Sequence, residues 1–245
     1  MNEFVRVEHL TKSFGELKVL DDVSFTVKKG EFLCVVGPTG CGKTTFLSCL
    51  TGAVPIDRGS ITLDGEPVDL KKRNIAYIMQ EYSVMPWLNV RQNVAFGLTV
   101  KHRERAFIRK KVDEVMRAVG LTAFADSYPA ELSASMLQRV SIARAFAVEP
   151  ELLLMDEPYG QLDLDLRFKL EDELIRLWQE SGTTVIFITH NIEEAVYLGQ
   201  RILILTNKPT TIKDEIAVEL PRPRDVASEA FTDLRARVTD EIKWW

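Results

Sequence analysis

The stretch Glu31-Phe-Leu-Cys-Val-Val36, running directly into Gly37-Pro-Thr-Gly-Cys-Gly-Lys-Thr-Thr45, constrains this chain more than any other part of it. The short apolar run reads as a buried strand, and Thr44-Thr-Phe-Leu-Ser-Cys-Leu50 reads as the start of a helix. Between them lie Gly37, Gly40 and Gly42, followed by a lysine and two hydroxyls. Glycine admits backbone conformations closed to other residues, so successive N–H groups can converge on one anion at the positive end of a helix. This is the pattern of a phosphate cradle, with Lys43 placed to reach terminal phosphates and Thr44 placed to ligate magnesium.

A chain of 245 residues can bury a full core and suits one large α/β domain or a domain with an insertion. The net charge is −5 with acids and bases mixed along the sequence, so neither nucleic acid nor a charged membrane surface is indicated as a partner. No stretch approaches 18 consecutive apolar residues, and Met1-Asn-Glu-Phe4 lacks a basic segment followed by an apolar one. The expectation is a cytosolic protein that meets a membrane only through a partner. Cys34, Cys41 and Cys49 cluster around the loop without metal-ligand spacing, which argues against zinc and against a disulfide framework. Cys41 sits inside the loop, where it is either an inert small side chain or a thiol whose pKa the helix terminus lowers.

The first part of the chain reads as short strands at Phe4–Val7, Val23–Val27 and Ser60–Leu63, with turns at Lys29-Gly30 and Asp64-Gly65, an antiparallel layer beside the loop strand. A strand at Ile75–Met79 ends at Gln80, and Pro86-Trp87 breaks the pattern. From Val90 to Ala147 the period turns helical, including Ile108, Val112, Val115 and Val119, with Gly120 as a stop. The basic runs Lys101-His-Arg-Glu-Arg105 and Arg109-Lys-Lys111 are a solvated helix face or a binding patch. Strands resume at Leu152–Met155, Thr184–Ile188 and Arg201–Leu205 in a βαβ rhythm that implies a parallel sheet. Pro221-Arg-Pro-Arg224 marks a boundary, and Phe231, Leu234 and Val238 give a last helix one apolar stripe. The expected division is a nucleotide-binding core with its antiparallel layer in 1–87 and 148–220, a helical subdomain inserted at 88–147, and a helical tail at 221–245.

Asp156-Glu157-Pro158 ends an apolar strand with two carboxylates, where the C-terminal end of a parallel strand meets the ligand crevice. Asp156 suits magnesium, and Glu157 suits polarising a water that attacks a γ-phosphate. His190 follows a second such strand and could donate a hydrogen bond to the same phosphate. Equally, Asn191 with Glu194 makes a capping box, which would leave His190 merely in front of a helix. Gln80 also stands at a strand end, and its amide oxygen could ligate magnesium.

Taken together these residues resemble the ATPase subunits of ATP-binding cassette transporters, over essentially the whole chain. Gly37, Pro38, Thr39, Gly40, Cys41, Gly42, Lys43, Thr44 and Thr45 match the Walker A loop, and Gln80 the Q-loop. Leu152 to Glu157 match the Walker B strand with its glutamate, Leu162-Asp163 the D-loop, and His190 the switch histidine. Phe14 matches the aromatic that stacks on adenine in that family; without the resemblance it would read as a half-exposed strand-end aromatic. Met85-Pro-Trp-Leu-Asn-Val90 with Asn93-Val94, and Leu220-Pro-Arg-Pro-Arg224, look like the nitrate, sulfonate and taurine importer branch. The resemblance implies an α/β P-loop NTPase core with a parallel sheet, an antiparallel β layer and an inserted helical subdomain. It also implies ATP and Mg2+ as ligands, Lys43, Glu157 and His190 as catalytic residues, and Thr44, Gln80 and Asp156 around the metal.

In such a family the partners are a second ATPase subunit, membrane permease subunits and a periplasmic or extracellular solute-binding protein. The location would be the cytoplasmic face of the inner membrane. The permease contact falls around Gln80 to Val94, where Trp87 and Met85 are either exposed anchors or core residues. One departure stands out. The family's signature, usually Leu-Ser-Gly-Gly-Gln, aligns with Leu132, Ser133, Ala134, Ser135 and Met136, so both glycines are replaced. This segment acts on the γ-phosphate held by the other subunit, and the added side chains are expected to loosen closure or slow hydrolysis. The pair is then a homodimer, or a heterodimer with a cassette bearing the glycine form. A GTP-dependent switch fits less well, because Thr210 stands where a guanine-reading aspartate would follow Asn207-Lys208.

Overall fold

The computed structural model describes residues 3–70, 72–160, 162 and 164–242. Internal contacts gather Met1–Arg73 with Thr184–Trp245 into one compact unit and Asn74–Thr183 into a second. In chain order the first unit begins with β1 (Glu3–Phe14), β2 (Leu17–Lys28), β3 (Phe32–Val36), α1 (Lys43–Leu50), β4 (Arg58–Leu63) and β5 (Glu66–Pro67). The second unit supplies β6 (Ile75–Ile78), α2 (Val90–Val100), α3 (Arg105–Ala118), α4 (Ala134–Ala147), β7 (Leu152–Asp156) and α5 (Leu164–Ser181). The chain then returns to the first unit with β8 (Thr184–Thr189), α6 (Ile192–Leu198), β9 (Arg201–Leu205), β10 (Ile212–Ala217) and α7 (Glu229–Ile242).

In the first unit β2, β1, β4 and β5 form an antiparallel sheet in that order. Val5, Val7, Leu10, Val23, Phe25 and Val27 of the β1–β2 hairpin are buried while Arg6, Glu8, Ser24 and Lys28 among them are exposed, as a sheet with one wet face requires. Asp64 and Gly65 both take positive φ, 54° and 78°, which matches the twist of the tight β4–β5 hairpin. β3 lies parallel to both β8 and β9, and every residue of β3 and β8 is buried, so these strands read as unbroken apolar runs rather than alternating ones. β10 closes this side antiparallel to β9. The last helix buries Phe231 and Val238 and packs on α6.

In the second unit β6 and β7 pair in parallel. Helices α2, α3 and α4 bury Val94, Leu98, Val112, Met116, Val140 and Ala143, each apolar position on the inner face of its helix. Asn89 caps α2 in a reciprocal box with Gln92, and Gly120 takes φ 68° where α3 stops. Arg139 of α4 grips Glu173 of α5 through two hydrogen bonds of 3.2 and 2.8 Å. Most of the basic 101–111 run is exposed, with Lys111 bridging Glu114 and Glu149 at 3.0 and 3.1 Å.

Candidate functional site

The glycine-rich loop leaves β3 and enters α1 as the sequence requires. Gly42 is the residue before the helix and takes φ 114°; a Cβ there would also meet Val19 Cγ1 at 2.6 Å, so only glycine fits. That close approach brings β2, whose partner β1 ends in Phe14, against the loop. The Lys43 ammonium donates to the carbonyls of Gly37 and Pro38, both at 3.0 Å, and so lies across the loop at the start of α1. Thr39, Gly40 and Thr44 are exposed there, and Thr45 is half-buried. Thr210, fully buried on the connection after β9, donates its hydroxyl to the Cys41 carbonyl and fixes the loop from behind. No sequence motif announced it, since the two residues lie 169 positions apart.

For Cys41 the structure favours the inert small side chain over the lowered thiol. Its thiol is wholly buried, and burial pushes its pKa up by more than the Lys43 ammonium pulls it down. It serves as a packing residue; Cys34 and Cys49 are likewise buried, and none of the three forms a disulfide.

Phe14 stands half exposed, at 50%, at the tip of the β1–β2 hairpin. The Lys12 ammonium lies 5.3 Å from the centre of its ring and is itself held by Asp57 at 3.0 Å, while Asp57 also accepts the Ser13 amide at 2.7 Å. This clasp was missed, because Asp57 lies 45 positions from Lys12 in a stretch that reads as plain turn.

His190 and the loop leave neighbouring strands at one level, for the final register pair of β3 and β8 is Val36 with Thr189. His190 is exposed. Asn191 does cap α6, accepting the amides of Glu193 and Glu194 at 2.9 and 3.4 Å. The expected capping box takes another form, because the Glu194 carboxylate accepts the Thr189 hydroxyl at 2.5 Å while the Asn191 amide donates to that hydroxyl at 2.9 Å. The turn bearing His190 is therefore pinned on both sides.

In the second unit Gln80 and Glu157 form the corresponding pair. Each lies two residues past the last register pair of β6 and β7, Ile78 with Met155. Asp156 is buried, and Tyr77 of β6 donates its hydroxyl to it at 3.3 Å. Burial, then the charge of Asp156, holds that phenol protonated far above its usual range. Glu157 is partly exposed with φ 45°, a left-handed backbone unusual for a glutamate. Gln80 is exposed. Leu162 is buried, and Asp163 lies outside the described residues. Among the described residues no group of three His, Cys, Asp or Glu side chains could hold a metal ion.

Ser133 caps α4, its hydroxyl accepting the Met136 amide at 3.4 Å and lying 3.2 Å from the Ser135 hydroxyl. Ser133 and Ala134 are exposed, Ser135 is buried, and Leu132 and Met136 are in between. Neither Ala134 nor Ser135 has a positive φ, so the backbone here does not need the glycines it lacks. Further along α4, Arg144 donates to the carbonyl and hydroxyl of Ser83 at 2.7 and 2.8 Å, tying down the segment after Gln80. Buried Asn93 holds Met85 through its amide and carbonyl, at 2.8 and 3.1 Å. Together they shape a groove of about 320 Å³ lined by Tyr77, Met85, Phe96 and Arg144, among others. Trp87 is 72% exposed and is no core residue.

Residues 20–160 match the sequence model described as ABC transporter. An uncharacterized ABC transporter ATP-binding protein of Methanocaldococcus jannaschii is 42% identical over 98% of this chain and 91% of its own length. An aliphatic sulfonates import ATP-binding protein of Bacillus licheniformis is 43% identical over 99% of this chain and 95% of its own. Among solved structures, a dimeric ATP-binding cassette in a post-hydrolysis state with ADP and Pi superposes with a TM-score of 0.77 at 29% identity, covering 89% of this chain and all of that one.

Proposed function

Because this chain belongs to the ABC transporter family, as an ATP-binding and ATP-hydrolysing subunit, we propose that it powers an importer of small solutes of the nitrate, sulfonate and taurine type. The carrying observation is the Lys43 ammonium lying across a loop whose Gly42 conformation only glycine sustains, at the N-terminus of a helix that favours phosphate. The cargo class rests on the relative named for aliphatic sulfonate import.

In this reading Lys43 exchanges its two carbonyl contacts for the terminal phosphates of ATP, cradled by backbone N–H groups between Thr39 and Thr45. Phe14 offers its exposed ring to the adenine. Thr44, Gln80 and Asp156 supply a hydroxyl, an amide oxygen and a carboxylate, the hard oxygen donors that suit Mg2+. When bound, the ion neutralises charge on the phosphates. Glu157 orients the attacking water, and His190 donates to the γ-phosphate. Ser133 and the amides at the start of α4 close over the ATP of a second subunit, which is another copy or a cassette with the glycine-form signature. The helical insertion at 88–147 carries that surface, and the stretch from 221 on is a C-terminal helical tail to the core.

Permease subunits dock around Gln80 to Val94, where the exposure of Trp87 and the groove lined by Met85 and Phe96 support this. A solute-binding protein delivers the cargo, nucleic acid plays no part, and the subunit works on the cytoplasmic face of the inner membrane. Among the described residues no helix is long and apolar enough to cross a membrane. The test is Lys43→Ala. Loss of a charge-assisted contact should weaken ATP binding by about 10- to 100-fold and abolish hydrolysis, measured by titration with a fluorescent ATP analogue. Unchanged affinity would sink the reading.

A further inference from the structure

The helix after His190 is fastened at both ends by one later segment of chain. In its first turn, Glu193 accepts Arg235 Nη1 of α7 at 2.9 Å. In its last turn, Arg224 Nη1 donates to the carbonyls of Val196, Tyr197 and Gly199 at 2.7, 2.8 and 2.6 Å. Arg222 donates to Tyr197 at 3.0 Å and also to Leu198. The last carbonyls of a helix lack partners within it and carry the negative end of its dipole, and the fixed fork of a guanidinium matches them. Arg224 is only 8% exposed, and Phe231 and Val238 of α7 are wholly buried. Burial, and then the neighbouring Arg222 charge, brings the Arg224 guanidinium down to about 10. This short helix already ends on Gly199, so packing a buried Arg224 and a half-buried Arg222 against it demands a reason beyond termination.

We infer that Arg222, Arg224 and Arg235 are positioning residues for ATP hydrolysis, holding α6 so that the turn pinned to its first residues presents His190 to the γ-phosphate. The link is direct, because the Thr189 hydroxyl joins the end of β8 to Glu194 and to the Asn191 amide, the two sides of His190. A shift of α6 therefore displaces His190. This inference rests on the role given to His190 above.

The test measures ATP turnover and ATP binding in the full chain for Arg224→Ala and Arg224→Lys, each with and without His190→Ala. Rates are normalised to bound ATP. Misplacing a reacting group by a fraction of an ångström should lower kcat by about tenfold for Arg224→Ala, with ATP affinity changed by less than about twofold. Arg224→Lys, which keeps the charge but loses the fork, should recover part of the rate. In the His190→Ala background the Arg224 substitutions should have no further effect, since the group they position is gone. An equal fractional loss in both backgrounds would overturn the inference and leave the arm a structural support. Normal turnover in His190→Ala alone would overturn the role of His190 and this inference with it, a result that needs no arm variant. If Arg224→Ala does not fold, Arg235→Ala takes its place in the same cycle. Its ion pair with Glu193 is largely open to solvent, so the variant should fold, and a loss in rate of about two- to threefold confined to the His190 background would sustain the inference.

Discussion

Glu157 holds its carboxylate on a backbone at φ 45°, a conformation that costs a non-glycine residue about 1–2 kcal/mol and that persists only where the surroundings impose it. Glu157→Gln keeps that backbone and removes only the basicity. Hydrolysis should fall by about 10²- to 10³-fold with ATP binding retained, read by single-turnover kinetics. Normal hydrolysis would remove Glu157 as the water-orienting group. Asp57 gives a prediction in pH. The Lys12 ammonium first, and the Ser13 amide second, depress its folded pKa below the ordinary 3.8. The contribution of this group to stability is therefore present above about pH 4 and fades as pH falls through the folded value. Asp57→Asn should melt lower than the parent at pH 7 and converge with it as the pH falls below the folded pKa of Asp57; parallel curves at every pH would refute the clasp. The positions of Lys43, Asp156, Glu157 and His190 were legible because spacing and strand ends reveal them. Those of Asp57 and Thr210 were not, because each acts on residues far off in sequence and has no motif of its own; Arg224 stood in a readable motif, but the helix end it grips lies some 25 positions earlier.

The same contrast holds for whole elements. The buried parallel strands were readable as apolar runs bounded by polar residues, and α3 by its 3.6-residue period. β1 and β2, 12 residues each, run well beyond the Phe4–Val7 and Val23–Val27 stretches that their alternation suggested. The hairpin register shifts between Val7 and Leu10, where His9 takes φ 51° opposite Asp22 at φ 55°, and the bulge switches which residues face inward. β10 went unread because Ile212-Lys-Asp-Glu-Ile216 keeps too few apolar residues for a pattern, as an edge strand can afford to. At the start of α4, Ala134 and Ser135 favour the helix but add atoms to the face that would meet a phosphate. Ala134→Gly/Ser135→Gly should therefore raise steady-state ATPase several-fold while lowering stability by about 1 kcal/mol, measured by phosphate release and thermal melting. No gain in rate would remove the idea that these side chains hinder closure.

Over the whole molecule, the rhythm of strand, loop and helix was enough to give the α/β class and a helical stretch between two returns to strand. The internal contacts divide the chain at Arg73 and Thr184, because β6 and β7 pair with each other within the second unit. If ATP is completed between two subunits, Glu157→Gln should also accumulate an ATP-dependent dimer in light scattering. A chain that stays monomeric at saturating ATP would count against that arrangement. The grip of Arg144 on Ser83 has a mechanical meaning at this scale. Arg144 sits ten residues along α4 from Ala134, a rigid lever arm of about 15 Å. Were a permease to press on the segment that Ser83 anchors, the push would reach Ser133 at the other end of α4 as displacement of a single rod, with no unfolding or relay between.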